Sequence, residues 1–589
     1  MQRKDDNGDL FPVSNTDSHR VTIHRLSAEL LLEIFETAAE HFLRFSHVCG
    51  LWRRIIHGCS KFWSTIKLQA FSNEADQQAA YWILRAGGSL LSINVRACGE
   101  KWLESEKNEG NTIVPLASVL RPTMDRCKQL SISASPSQLD DFFRICAGHT
   151  SNLTELSVTI PFPVDFGDSD GDLDPTPPLY IPFTLPPNIE FPTRASINIS
   201  GCLSIFSSFG ASVTELIVGG STPFRHIGDI MAMFESCPNL VKCSLIGPPA
   251  PRPGIRSVFR TVSLLRLVNL KMSGVTGAGS LLEYLNLPCL ESLEVADFLW
   301  DDATRRTFWH LFQSCPSLSD FSVHGLDVNT SSDFTGPLLA LHSITRFRFH
   351  CTAAYSLLRR LAFPNAQELR IGYIPASLAH HFASSSPRAH TVSFKPIIGS
   401  ANGLPIIPFP TLISLKISGS IELLDHLHPL HLRSLSLSWW DAELWEPILL
   451  RFVEHSAPRL ARLVLRRSRV SDQDLISCLE RLPHLEDLHL DVCTTTDALL
   501  LALSVSSGST DRGVADSSCL LPRLKRFRFY RAGFTAKAFI AFLLFRNIGR
   551  YAGIEGVPPR IEGRIYFGSH AKIDRDDHLK ILLLGPYLD

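Results

Sequence analysis

One alternation of apolar and polar positions recurs along this chain. From about residue 86 onward a proline is followed by apolar residues in the order L-x-x-L-x-L. The phrase reads CPNLVKCSLIG from Cys237, LPCLESLEVAD from Leu287, CPSLSDFSVHG from Cys315 and FPNAQELRIGY from Phe363. It returns as FPTLISLKISG from Phe409, APRLARLVLRR from Ala457, LPHLEDLHLDV from Leu482 and LPRLKRFRFYR from Leu521. Successive strand side chains point to opposite faces, so L-x-L predicts a short strand with one buried side. Between copies the apolar spacing turns helical, as in FRHIGDIMAMFESC at residues 224–237 and RTFWHLFQSC at 306–315. The proline ends each preceding helix and opens the turn into the strand.

Weaker copies start at Ser151, Ala211, Leu264, His342 and Leu432. Neighbouring copies lie mostly about 20–28 residues apart, the pitch of a leucine-rich repeat. A single strand–helix unit cannot bury its own apolar face, so the copies are expected to stack into a solenoid with a continuous parallel sheet. A doubly wound α/β domain also alternates strands and helices, but has no reason to repeat one phrase so often. The expected fold is therefore α/β, with parallel strands on the concave face and helices on the convex face. The phrase resembles the irregular leucine-rich repeats that follow F-boxes; few copies carry the Asn or Cys after L-x-L that a regular ladder has. Two insertions interrupt it: residues 161–192, rich in proline and acidic in the first half, and residues 505–518, both expected as loops.

Ahead of the repeats, residues 23–68 read IHRLSAELLLEIFETAAEHFLRFSHVCGLWRRIIHGCSKFWSTIKL. Leu30, Ile34 and Phe35 recur at helical spacing, and the Ser27 hydroxyl is placed to cap that helix. A second helix carries SHVCGLWRR, and KFWSTIKL closes the unit. In order and content these blocks resemble the F-box pattern L-P-x-E-L-L-x-x-I-F, L-S-x-V-C-x-x-W-R, L-W-x-x-I. Ser27 stands where that pattern has proline, and only AAEH precedes Phe42. The resemblance implies a helical module that docks on a Skp-type adaptor of a cullin–RING ubiquitin ligase, with adaptor-facing positions drawn from Leu26, Leu30, Ile34, Phe35, Val48, Trp52 and Trp63. It also implies that the rest of the chain holds a protein substrate. The resulting division is a disordered N-terminus at 1–20, an F-box-like module at 21–70, a solenoid at 71–550 and a C-terminal cap at 551–589. The alternative is an interaction scaffold whose helical module only closes the open end of the solenoid, as repeat arrays require.

Composition narrows the function further. The chain has 589 residues and a formal net charge of −1, which implies no bulk attraction to nucleic acid or to an anionic membrane. No apolar run approaches the ~20 residues of a spanning helix, and the first residues do not read as a signal peptide. A cytoplasmic or nuclear location is expected. The 14 cysteines include no C-x-x-C pair and suit small buried hydrophobes in a reducing compartment. The DSDGD patch lacks the later glutamate of a calcium loop, and His426, His428 and His431 have no cysteine partner. Nucleotide, nucleophile-elbow and zinc-protease motifs are missing. No cofactor, metal or catalytic site is expected.

What remains is surface. Residues between the apolar strand positions face outward: Arg346, Arg348 and His350, then Arg370, Lys395 and Lys416, then Arg462 and Arg466, and last Arg526, Arg528 and Tyr530. Asp487 and Asp491, with His489, form an acidic step between the last two sets. Earlier copies offer Lys242, Ser244, Ser292, Glu294, Asp320 and Ser322. A basic groove with one acidic rung suits an acidic or phosphorylated partner peptide, because arginine forks match carboxylate and phosphate groups. The same residues also satisfy the plain need of a strand for a solvated face. Arg346, Arg348, Arg370, Arg462, Arg466, Arg526, Arg528 and Tyr530 are the candidate substrate-binding residues.

Overall fold

The computed structural model describes residues 26–37, 42–69, 74–96, 113–161, 178–185, 194–220, 227–247, 259–275, 277–327, 334–401, 403–438, 445–456, 459–467, 470–493, 495–504, 520–548 and 561–567. The N-terminal segment 1–20, the DSDGD patch and the insertion 505–518 lie outside them. The chain forms two compact units, the first comprising residues 1–172, 178–200 and 204–212, the second mainly the chain from Val213 onward.

The first unit begins with short helices Ala28–Thr37, Phe42–Phe45, Gly50–Gly58 and Ser60–Trp63. The Ser27 hydroxyl accepts from Leu30 N at 3.4 Å, which is the expected cap. Phe35 packs edge-on against Trp52 with centroids 4.9 Å apart and stacks on Phe45 at 5.6 Å. Chain polarity then switches from helical to alternating, and strands Thr65–Gln69, Leu91–Arg96, Cys127–Ser133, Glu155–Thr159 and Ala195–Ser200 pair parallel in chain order. Residues 65–69, grouped by sequence with the helical module, are thus the first strand of this sheet. Trp63 joins the two parts: its ring lies 5.7 Å from Tyr81 and 5.5 Å from Trp82 on the helix Ala75–Ala86.

Part of the insertion 161–192 is not loop. Leu179–Ile181 pairs with Ser204–Phe206, and Phe183–Thr184 pairs with Gly148–His149. Ile181 and Phe183 are fully buried, the latter between Phe143 and Phe209. The apolar residues interleaved with its prolines have a core to enter, so this stretch orders as a short edge.

The second unit is a leucine-rich-repeat solenoid. The strands of the main sheet from Val213–Gly219 to Glu562–Phe567 pair parallel in chain order, in the register that aligns successive L-x-L positions, and two-residue strands between them pair separately. Aligned inward positions form apolar columns, for example Leu415–Leu435–Leu463–Leu488–Phe527, all buried. The leucine after each proline forms another column, including Leu240, Leu290, Leu318, Leu412, Leu460 and Leu485. At Gly563 the ladder has no side chain, because a Cβ there would collide with the Phe527 ring and carbonyl.

Between strands the chain returns through helices such as Ile227–Ser236, Asp302–Ser314 and Asp472–Glu480. Asp301 and Ser471 cap two of them, accepting from Thr304 N at 2.7 Å and Asp474 N at 3.2 Å. Helices do not fill every return. Where copies are closest, as from Ser414 to Ser434, only the 3-10 turn Glu422–His426 fits, beside the small parallel pair Ile407–Pro408 and Leu427–His428. The strand Glu562–Phe567 adds a further rung in the segment expected as a cap.

Candidate functional site

Burial sorts the module residues that the sequence could not separate. Phe35, Trp52 and Trp63 are interior, at 0%, 8% and 1% exposure. The Trp63 indole donates to Ile56 O at 3.0 Å, which leaves it no free face for a partner. Trp52 and Phe35 hold the helices to one another. These three are corrected from adaptor-facing to core. Leu30, Ile34 and Val48 are exposed apolar residues at 49%, 41% and 59%, and Leu26 is half-buried. Leu30 and Ile34 lie one helical turn apart, about 100° around the helix from the buried Leu31 and Phe35. Leu43, which the sequence reading passed over, is exposed at 43% in the same module.

In the second unit the strand Arg346–His350 shows the pattern that builds the outward face: Phe347 and Phe349 are buried, while Arg346, Arg348 and His350 turn outward. Parallel register then lines equivalent outward residues into rows. One row runs Asp320–Arg346–Glu368, and farther on Arg462–Asp487–Arg526–Glu562. Signs alternate along it. Arg346 pairs with Asp320 at 2.9 Å, Arg348 with Glu368 at 3.0 Å, and Arg370 also with Glu368. Arg462 and Arg526 flank the buried Asp487 carboxylate at 3.5 and 3.8 Å, and Arg466 lies 3.9 Å from Asp491. Burial pushes the Glu368 carboxyl up, but Arg348, Arg370 and Arg346 outweigh it and hold the group below its ordinary value. The expected basic groove with one acidic rung is therefore corrected to a charge-alternating ladder. Most candidate arginines already have carboxylate partners, and Glu368 is the partner the sequence reading missed. Such half-exposed pairs contribute about 0.2–1 kcal/mol each.

Among the described residues, Arg528, Lys395 and Lys416 make no ion pair on this face. Tyr530 packs its ring 5.3 Å from His489, whose imidazole is held below its ordinary pKa by burial and then by Arg466. Lys395 is pushed down to about 7, first by burial and then by Lys416, Arg466 and Arg370. Lys395 and Lys416, on neighbouring strands, thus form one cationic patch of the face, and Arg528 is a further outward cation without an ion pair among the described residues.

Burial pushes the thiols of Cys127, Cys146 and Cys237 up to about 12. His428 Nε2 lies 3.2 Å from His455 O, and among the described residues no group of three or more His, Cys, Asp or Glu side chains is arranged to hold a metal. No described helix is long and apolar enough to cross a membrane.

No family model matches the chain. No curated protein matches it either. Among solved structures it is similar to a chain in the crystal structure of a TLR13–ssRNA13 complex, at 12% identity and a TM-score of 0.35. That alignment covers 79% of this chain and 61% of the other, so the chain spans less than two thirds of that neighbour's length. Likeness at this level carries no argument, and the repeat architecture rests on the strand register and aligned apolar columns described above.

Proposed function

We propose that the chain is a non-catalytic substrate receptor of a Skp–cullin–F-box ubiquitin ligase. The helical module docks on a Skp-type adaptor, and the outward sheet face of the repeats holds a protein substrate. The observation that carries this reading is the unburied apolar set Leu30, Ile34 and Val48 in a module whose block order resembles the F-box. Exposed apolar side chains grouped in so small a unit call for a partner surface. The substrate is brought near the charged ubiquitin-conjugating enzyme, and modification follows from effective concentration, with no chemistry in this chain. The division into module, solenoid and C-terminal segment, and a cytoplasmic or nuclear location, go with this reading.

A second reading has its own observation. Trp63 packs the module directly on the helix that follows the first strand, as a closing cap would. A cap has no use for Leu30 and Val48 in solvent, so adaptor binding separates the two. Co-purification of the full chain with a Skp-type adaptor, lost on Leu30→Asp/Val48→Asp, is the expected outcome. A well-folded chain that ignores the adaptor would leave the scaffold reading.

A further inference from the structure

The outward face changes character over three adjacent strands. On Thr391–Ile398, Ser414–Gly419 and Ser434–Ser438 the outward positions in the paired registers hold Thr391, Lys395, Lys416 and otherwise serine. No carboxylate occupies any of them, whereas Glu368 lies on the strand before them and Asp487 on the second strand after them, each beside its arginines. Lys416 sits opposite Ser393 on one side and Ser436 on the other, while Ser418 and Ser438 lead to Arg466 in the next row. The hydroxyls of Ser393, Ser436 and Ser438 have no protein partner among the described residues. Arg466 keeps a loose 3.9 Å pairing with Asp491, and its buried Nε makes no hydrogen bond. Opposite Lys395 stands Gly372, and the His350 ring lies in the space a Cβ there would take.

We propose that this serine-floored patch binds one phosphate monoester, carried on a serine or threonine of a partner polypeptide, with Lys395, Lys416 and Arg466 as its cationic ligands. Two ammonium groups without an ion pair and a guanidinium with only the 3.9 Å pairing to Asp491 repel one another, and a dianion with three acceptor oxygens relieves that repulsion. The low pKa of Lys395 agrees: burial lowers it first, and Lys416, Arg466 and Arg370 then further disfavour its proton. Serine hydroxyls supply the remaining donors at the sheet surface. The occupant is a single dianion and not a nucleic-acid backbone, because the flanking ladders present Glu368 and Asp487 where further phosphates would run. This site rests on the reading of the outward sheet face as the partner surface and is independent of the helical module.

The test uses the full chain and a degenerate peptide library with a fixed central phosphoserine, beside the same library with serine. The phosphorylated library should be retained about tenfold better, as charge-assisted hydrogen bonds imply. Inorganic phosphate should displace it. The preference should vanish in Lys395→Gln/Lys416→Gln and survive in Arg528→Gln and in Leu30→Asp/Val48→Asp. Thermal midpoints should be unchanged or higher in the lysine variant, because it removes a repulsion. Should that variant fold poorly, Lys416→Gln alone and the phosphate displacement on wild type carry the decision. Equal retention of both libraries, a preference indifferent to the lysines, or a 5′-phosphorylated oligonucleotide held more tightly than the phosphopeptides would overturn the proposal.

Discussion

At the residue scale, Trp63 and Val48 sit in the same small module and should respond in opposite ways to substitution. The Trp63 indole is buried, hydrogen-bonded to Ile56 O and edge-on to two aromatic rings. Trp63→Ala should cost about 3–5 kcal/mol, read as a lowered urea midpoint. Val48→Asp, at an exposed position, should stay within about 0.5 kcal/mol. Lys395 gives a prediction with a sign. Its folded pKa, about 7, lies below the ordinary lysine value of 10.5. Between those values the unfolded chain binds more protons, so stability should rise with pH across that window. Burial first, and then the charges of Lys416, Arg466 and Arg370, keep the native protonated form unfavourable, while the nearby His350, held below its ordinary value, is neutral in this window. In Lys395→Met the rise between pH 7 and pH 10 should be smaller. An identical slope in wild type and variant would show that the lysine does not titrate in this range.

At the element scale, the strands were legible wherever leucine holds the inward positions, because the period-2 pattern alone says which face is buried. Copies were missed where other apolar residues serve. The strand Thr391–Ile398 uses Val392 and Phe394 for the same columns, with Ala389 in the turn before it, and Glu562–Phe567 replaces leucine by Gly563 under the Phe527 ring. The L-x-L phrase specifies volume as well as polarity, and neighbouring rungs trade volume between them. Phe347 illustrates the trade, with its ring 4.2 Å from Phe363 and stacked at 5.5 Å on Phe321. Phe347→Ala should destabilise the second unit by about 3–5 kcal/mol, since no neighbour can close the space. Gly419 is a backbone case: its φ is +83°, and a Cβ would strike the Ile397 carbonyl. Gly419→Ala should lower the thermal midpoint, while Gly58→Ala, with open space around it, should not. The ion-pair ladder was only half visible in sequence, because which arginine meets which carboxylate is set by register between strands about 20–28 residues apart.

At the scale of the whole molecule, a net charge of −1 hides an uneven surface. Carboxylates neutralise arginines along the ladders and are missing from the strands that carry Lys395 and Lys416. Bulk charge could not locate the patch where Lys395 and Lys416 stand without an ion pair among the described residues. The order of helical blocks in the first unit was equally plain in sequence. Their division into core and surface was not, since a Leu/Ile/Phe/Trp stripe looks the same whichever side faces the partner. That division decides the design of the decisive experiment: a Trp52 or Trp63 variant would lose binding by unfolding, whereas Leu30 and Val48 can be changed without touching the core.

The most direct measurement is the affinity of the purified full chain for a purified Skp-type adaptor, in wild type, Leu30→Asp/Val48→Asp and Lys395→Gln/Lys416→Gln, with thermal midpoints recorded alongside. The receptor account predicts binding by wild type and the lysine variant, and a loss of at least about a hundredfold, some 2.7 kcal/mol, when both apolar contacts are replaced by charge. Absence of binding by a folded wild-type chain, or binding unchanged by the Leu30/Val48 pair, would contradict it.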